Sequence, residues 1–566
     1  YSLNQYNSNN DLIRYLFFIL FPITNFFILK ILIEKNNFKL FFSNIRNNKI
    51  IYFSNLNSSI YLLIFFILFL ILEFLSIKFP THFLDVYHEG QRMSSAYKSS
   101  IDSSLWSGSY VTVGIFYETI SSKIAWSFFN NVSIGGARLI DLFFIFISKF
   151  LLTIFAFQIS RFSQLKSFYK NIFFFFLFII FNKLSNYNIN SVDLLTFREI
   201  PILLIAIFFL GSIFKNNSSS FLVILIGTLS ILSLFWGIDR GLITNILIIF
   251  ILTFFIISQD YAKLFLIILS ILISWISSWI ILGEEFNYFI LNSLSVLKEI
   301  NYIHGIIHPI PFSDEPNAGR ATKNIVSILI CLLLSLNLFF SEKSKFTYQL
   351  KISLLMISII SFCVYFNAVG RTDGSHLRSV FGFPLIFFST YIIYLILKFF
   401  DEFTNKYEFS STRNNLLFIV LILIINFSFM EINLNKIFDF NQRLNNYIKL
   451  EDKKYVQDEY YEFVNKSKEI ISNEECVQLF TNDAVLLYLL RKKNCTKYYF
   501  VWSIGSPKLQ QQFVKDLKNT TFIIDDNRKN SNEYSPHLRL PIVNEHIKSN
   551  YDLIFQSKKF RILKLK

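Results

Sequence analysis

The stretch Asp85-Val86-Tyr87-His88-Glu89-Gly90-Gln91 lies between apolar runs at 58–76 and 136–158. The runs decide the architecture, because each is long enough to cross about 30 Å of hydrocarbon at about 1.5 Å per residue. Further runs at 13–33, 198–214, 220–236, 242–258, 264–282, 323–341, 352–368, 377–399 and 416–432, with a shorter one at 171–182, predict about 11 to 13 crossings. A chain that is 53% hydrophobic and 18% aromatic, with a mean hydropathy of +0.46, is not an ordinary soluble domain. The expected fold is mainly α: a polytopic transmembrane helical bundle over 1–432, with a long outer loop at 77–135, followed by a soluble α/β domain over 433–566.

Beyond 433 the apolar runs stop. The pattern there predicts a charged helix over 452–471, a strand at Val477 to Phe480, a helix at Asp483 to Arg491 and a strand at Lys497 to Val501. A helix near 507–518 and a strand at Thr521 to Ile524 follow. No nucleotide-binding glycine loop is present.

Short basic loops set the orientation. Lys30, Lys35, Lys39, Arg46 and Lys49 follow the first run, and Arg161, Lys166 and Lys170 follow the third, which predicts a cytoplasmic position for both loops. Alternation then places 77–135, Arg198-Glu199, Trp236 to Gly241, 283–322, 370–378 and the C-terminal domain on the opposite face, together with all seven histidines. The net charge of +15 fits cytoplasmic loops against anionic membrane lipids. It does not suggest nucleic acid, since no basic run interleaved with aromatics and no recognition motif accompanies it. Cys331 and Cys363 fall in apolar runs as small buried residues, whereas Cys476 and Cys495 in the polar C-terminal region are either two thiols or a disulfide formed in an oxidising compartment.

Four groups of residues could carry chemistry. In the first, a helical reading spaces Asp85, His88 and Glu89 at i, i+3 and i+4, so that all three converge to bind a proton or a divalent cation. A carboxylate at a bilayer edge is expected to have a raised pKa and to accept a proton from a hydroxyl. The second is Gly370-Arg371-Thr372-Asp373-Gly374-Ser375-His376-Leu377-Arg378, whose guanidinium groups, imidazole and flexible turn suit a phosphate. In the third, Arg198-Glu199 and Trp236 to Gly241, with Asp239 and Arg240, stand at outer span ends and could line one cavity. In the fourth, Glu284, Glu285, His304 and His308 precede Pro309 and Pro311, which favour a mobile lid over a metal site.

Asp85 with His88-Glu89-Gly90-Gln91, the Trp236 to Gly241 turn and the Gly370 to Leu377 segment, on a polytopic core with a C-terminal α/β domain, resemble the C-type (GT-C) membrane glycosyltransferases. The resemblance implies transfer of a sugar from a polyprenyl-phosphate-linked donor to a glycan, lipid or protein acceptor, with inversion, at the extracytoplasmic face of a bacterial plasma membrane. It makes Asp85 the general base with Glu89 in reserve. Arg371, His376 and Arg378 would stabilise the departing phosphate, with His88, Arg198, Asp239, Arg240 and Asp373 as further substrate-binding residues. Asp85 with His88-Glu89 replaces the family's paired aspartates, which leaves a divalent cation on Asp85, His88 and Glu89 open. A lipid-linked polysaccharide ligase or polymerase is the nearest alternative. A transporter would place its ionisable groups nearer mid-membrane.

Overall fold

A computed structural model describes residues 8–33, 57–187, 193–213, 219–304, 311–312, 314, 318–341, 345–368, 374–404, 432–528 and 535–566. Helices occupy each predicted run that these residues include, from Ser8–Ile33 and Asn57–Ser76 to Tyr348–Ala368 and Gly382–Thr404. The run 416–432 lies outside the described residues but for its last position. Among the described residues, seven helices are long and apolar enough to cross a membrane: Ile134–Arg161, Ser219–Trp236, Ile238–Ile257, Tyr261–Leu282, Ala318–Phe340, Tyr348–Tyr365 and Leu377–Thr404. Leu16–Lys30 and Ile60–Ser76 are shorter apolar helices. The protein is an integral membrane protein, mainly α, with a small C-terminal sheet.

Burial separates two kinds of span. Ile200–Ile213 is apolar on every side, and Ile202, Leu203, Ile205, Ala206, Phe209 and Leu210 are fully buried, as expected of a helix without a polar face. Tyr261–Leu282 instead runs along the edge of the bundle with most of its length exposed. Phenylalanines fill the interior, with the Phe66 ring 4.4 Å from Phe178 and 5.1 Å from Phe174, in the tilted and edge-on arrangements that aromatic pairs favour.

The C-terminal region holds four strands: β1 (Gln478–Phe480), β2 (Phe522–Asp526), β3 (Tyr551–Gln556) and β4 (Phe560–Leu565). Their order is β1-β2-β4-β3. β1 is parallel to β2, and β4 is antiparallel to both β2 and β3. Sequence places β1 and β2 but misses β3 and β4. The strand expected at Lys497 to Val501 is absent. Tyr498, Tyr499, Phe500 and Val501 are all buried, and Val501–Ile504 is a 3-10 turn; a short apolar run does not by itself distinguish a strand from an irregular buried segment. Cys476 and Cys495 form a disulfide with Cα atoms 5.0 Å apart, and Cys331 and Cys363 are free and buried.

The expected lid in 283–322 is corrected for its first half. Gly283, at φ +54°, turns the chain sharply, and Glu284–His304 is a continuous helix packed on both the bundle and the C-terminal region. Its apolar positions Phe286, Phe289, Val296 and Ile303 recur at helical spacing and find buried partners, so the segment is a strut. His308 and Pro309 lie outside the described residues.

The C-terminal region sits directly on the loop 77–135. Leu84 N–H donates to Tyr455 O at 2.7 Å, and Ser94 Oγ donates to Ala484 O at 2.5 Å. At Gly90 the approach is so close that a Cβ would stand 2.5 Å from Val485 N. Met93, Trp126 and Ile134 share one apolar core with Val485, Tyr488 and Phe500.

Candidate functional site

The helix His88–Asp102 is short and mostly buried, and the Asp85 carboxylate bonds the backbone at its start. Asp85 Oδ1 accepts from the N–H groups of Tyr87 and His88, each at 3.0 Å, and Oδ2 is 2.8 Å from His88 Nδ1. Both side chains remain open, at 40% exposure for Asp85 and 60% for His88. Tyr87 stands beside them, its ring 4.5 Å from His88 and 4.7 Å from Phe500 of the C-terminal region.

The expectation of a raised Asp85 pKa is corrected. Burial pushes the carboxyl up, but the hydrogen bond and charge of His88 and the two backbone N–H groups outweigh it and hold the group below the usual carboxylate range. Asp85 is therefore ionised.

Glu89 does not join this pair. Its side chain turns inward to Arg138, with Nε–Oε1 at 2.7 Å and Nη2–Oε2 at 2.9 Å, and its Oε2 also accepts from Asp85 N–H at 2.8 Å. Arg138, 1% exposed, also donates to His82 O at 2.9 Å. One turn along, Arg92 forms a second two-pronged pair with Asp141 and donates to Tyr117 O at 3.1 Å. A small cavity of about 10 Å³ lies between these two pairs and is also lined by Ser122, whose buried Oγ has no partner. That volume admits about one water.

Glu89 is saturated by Arg138, and Asp85 Oδ1 is taken by backbone N–H groups. No three His, Cys, Asp or Glu side chains converge among the described residues. The described side chains do not fit a divalent cation at Asp85, His88 and Glu89.

The third group does assemble. Thr196 and Glu199 cap each other across Phe197–Glu199, leaving Glu199 Oε1 to accept from Arg240 Nε at 3.0 Å and Nη2 at 2.7 Å. Asp239 Oδ2 accepts from Arg198 Nη2 and Arg240 Nη1, both at 2.6 Å. Arg240 is 9% exposed and Arg198 30%. Tyr117 joins this layer to the previous one, with Arg92 over its ring at 4.7 Å and Arg198 over it at 5.6 Å. Arg198 is the more exposed guanidinium of this layer.

The second group is only partly described. Arg371 and Asp373 lie outside the described residues; His376 and Arg378 ride on the helix Gly374–Val380, where Arg378 is exposed. Of the fourth group, Glu285 is a helix-start acid that accepts from Trp106 N–H at 2.8 Å and Ser107 N–H at 3.1 Å.

Sequence reasoning passed over Arg92, Arg138 and Asp141 as site residues, although Arg138 and Asp141 are charges inside the apolar run 136–158, a signal that could have found them. Glu118 lies in the loop 77–135. It is buried, accepts from Thr112 N–H at 2.9 Å and from the Tyr499 hydroxyl, and burial pushes its pKa up. It ties the loop to the C-terminal region.

No model of a known protein family matches the chain, and no curated protein is significantly similar to it. Among solved structures it is similar to ArnT from Cupriavidus metallidurans bound to undecaprenyl phosphate, at 10% identity over 90% of this chain and 98% of that one, with a TM-score of 0.44. The apo state of that protein gives 9% identity over the same shares and a TM-score of 0.41. The apo oligosaccharyltransferase of Archaeoglobus fulgidus gives 10% identity over 90% of this chain and 74% of that one, with a TM-score of 0.44.

Proposed function

We propose that the protein is a membrane glycosyltransferase that moves a sugar from a polyprenyl-phosphate carrier to the hydroxyl of a glycan, lipid or protein acceptor. Asp85 carries the reading: an ionised carboxylate, held open beside His88, where an apolar bundle meets a polar C-terminal region. A lipid-borne donor reaches such a place from the bilayer and a polar acceptor from the aqueous side. The division into a membrane core over 1–432 and a C-terminal domain over 433–566 belongs to this reading. So does an extracytoplasmic site in a bacterial plasma membrane, which the disulfide and the basic loops support.

In the reaction the acceptor hydroxyl gives its proton to Asp85 as its oxygen attacks the anomeric carbon. The bond from that carbon to the phosphate oxygen breaks on the opposite face, inverting the centre and releasing polyprenyl phosphate. His88 keeps the carboxylate ionised and oriented. Arg198 meets the charge that develops on the leaving phosphate, with Arg371, His376 and Arg378 as further donors, the use of fixed positive charge where negative charge grows. Asp373 would orient the second group. Glu89, Asp239 and Arg240 hold the frame.

The test is reconstitution in liposomes with a polyprenyl-phosphate-linked sugar and a hydroxyl acceptor. Transfer that survives Asp85→Asn at full rate would remove Asp85 from the mechanism. No transfer from any lipid-linked sugar by the intact protein would sink the reading as a whole.

A further inference from the structure

We propose that the helix Glu284–His304 is a membrane-surface helix, with its outward face of Tyr288, Leu291 and Leu294 seated in the lipid leaflet on the Asp85 side of the bundle. The inner face fixes its depth. The Phe286 ring lies 6.2 Å from Trp275, and Phe289 lies 4.9 Å from Phe235 and 5.1 Å from Trp106. Trp275 stands seven residues before the end of Tyr261–Leu282, about 10 Å down that span at 1.5 Å per residue. Ile290 packs in the same apolar cluster as Ile231 and Leu234, which lie in the last turns of Ser219–Trp236. The first turns of the helix therefore run beside the ends of two spans, not above them.

Between Glu284 and Asn287 in its first turn and Lys298 further on, all exposed, the outward face is apolar. Tyr288 is 47%, Leu291 64% and Leu294 49% exposed, and they follow Trp279, Ile280 and Ile281, exposed at 56%, 68% and 81% just before the turn at Gly283. These residues adjoin the exposed apolar side of the peripheral span across the turn at Gly283, and lipid is the occupant that covers both. Trp279 and Tyr288 are the residue types that settle at the headgroup level, and Lys298 is exposed one turn beyond Leu294, where its stem can lie along the acyl chains and its ammonium reach a phosphate.

The far end of the helix is tied to the C-terminal region. Arg539 donates to Tyr302 O, to Ile303 O at 3.1 Å and to Trp502 O at 3.3 Å, and stacks on the Trp502 ring at 3.9 Å. Trp502 in turn lies 5.9 Å from Tyr87, the neighbour of His88. A helix held in the leaflet thus sets the height of the C-terminal wall beside Asp85 and His88. This placement does not depend on the reaction assigned to the site.

The test is lipid-depth quenching in proteoliposomes of the full chain. Leu291→Cys and, separately, Leu294→Cys are labelled with a polarity-sensitive fluorophore. Phe265→Cys on the peripheral span and Leu553→Cys on β3 serve as the lipid and water controls, being 64% and 52% exposed. With phospholipids brominated near the glycerol end of their chains, the labels at 291 and 294 are expected to lose about half their emission, as an interfacially buried helix should, while that at 553 keeps its own. Emission at 291 and 294 that follows 553 overturns the proposal. So does protection from an aqueous quencher without lipid quenching, which would assign the face to a second copy of the chain.

Discussion

Asp85 and Glu89 begin four residues apart at one helix start and end in opposite states. Asp85 is open and paired with an equally open His88; Glu89 is enclosed and bidentate to a fully buried Arg138. A fixed carboxylate that still reaches water can serve a reaction, whereas one saturated by a guanidinium and a backbone N–H serves as scaffold. The buried pairs at 89/138 and 92/141 hold the helix still so that the open pair keeps its place.

The largest effect expected from breaking this contrast is on the enclosed side. Arg138→Ala strands the Glu89 charge and is expected to cost about 3–5 kcal/mol, read as loss of the folded protein in thermal unfolding in detergent. Arg138→Met combined with Glu89→Leu should recover most of that loss, since an apolar pair leaves no charge stranded. On the open side, Asp85→Asn is expected to slow transfer by about 10²–10⁴-fold yet move unfolding by less than about 1 kcal/mol, because the amide oxygen still accepts the backbone bonds.

The same contrast recurs within the arginine layer. Arg198→Ala should weaken donor binding by about ten-fold, the loss of one charge-assisted bond, with little change in unfolding, while Arg240→Ala should lower stability. Equal behaviour of the two variants would erase the distinction drawn from their exposure. The smallest effect concerns pH. The folded Asp85 pKa lies below its ordinary 3.8, so the stability it contributes is present above that value and is lost only as pH falls through the depressed folded pKa. The acid limb of transfer should lie below the ordinary carboxylate range, and His88→Gln should move it upward, because the hydrogen bond and charge that hold the carboxyl down are lost.

Much of the fold is legible in the chain because apolar runs of span length have few alternatives. Strand β4 was not legible: Phe560, Ile562 and Leu563 face the core while Lys564 and Leu565 lie outside, too short and broken a pattern to register. At the site, local spacing placed Asp85 next to His88 correctly and failed for Glu89. Spacing along a helix says which residues share a side, and Arg138, 49 residues away, decided where the Glu89 carboxylate turned. The first half of the lid expected at 283–322 failed for a similar reason, since partners for Phe289 come from Phe235 and Trp106, distant in sequence.

The sequence by itself determined that this protein crosses a membrane and that Asp85 stands beside His88 at a span end, since each follows from hydrophobic length or from spacing within a few residues. Only the tertiary structure decided which of the ionisable groups stayed available, because burying one charge requires a counter-charge and hydrogen bonds brought from elsewhere in the chain. Arg138, Asp141 and Glu199 supply these, and Asp85, His88 and Arg198 are the groups left open.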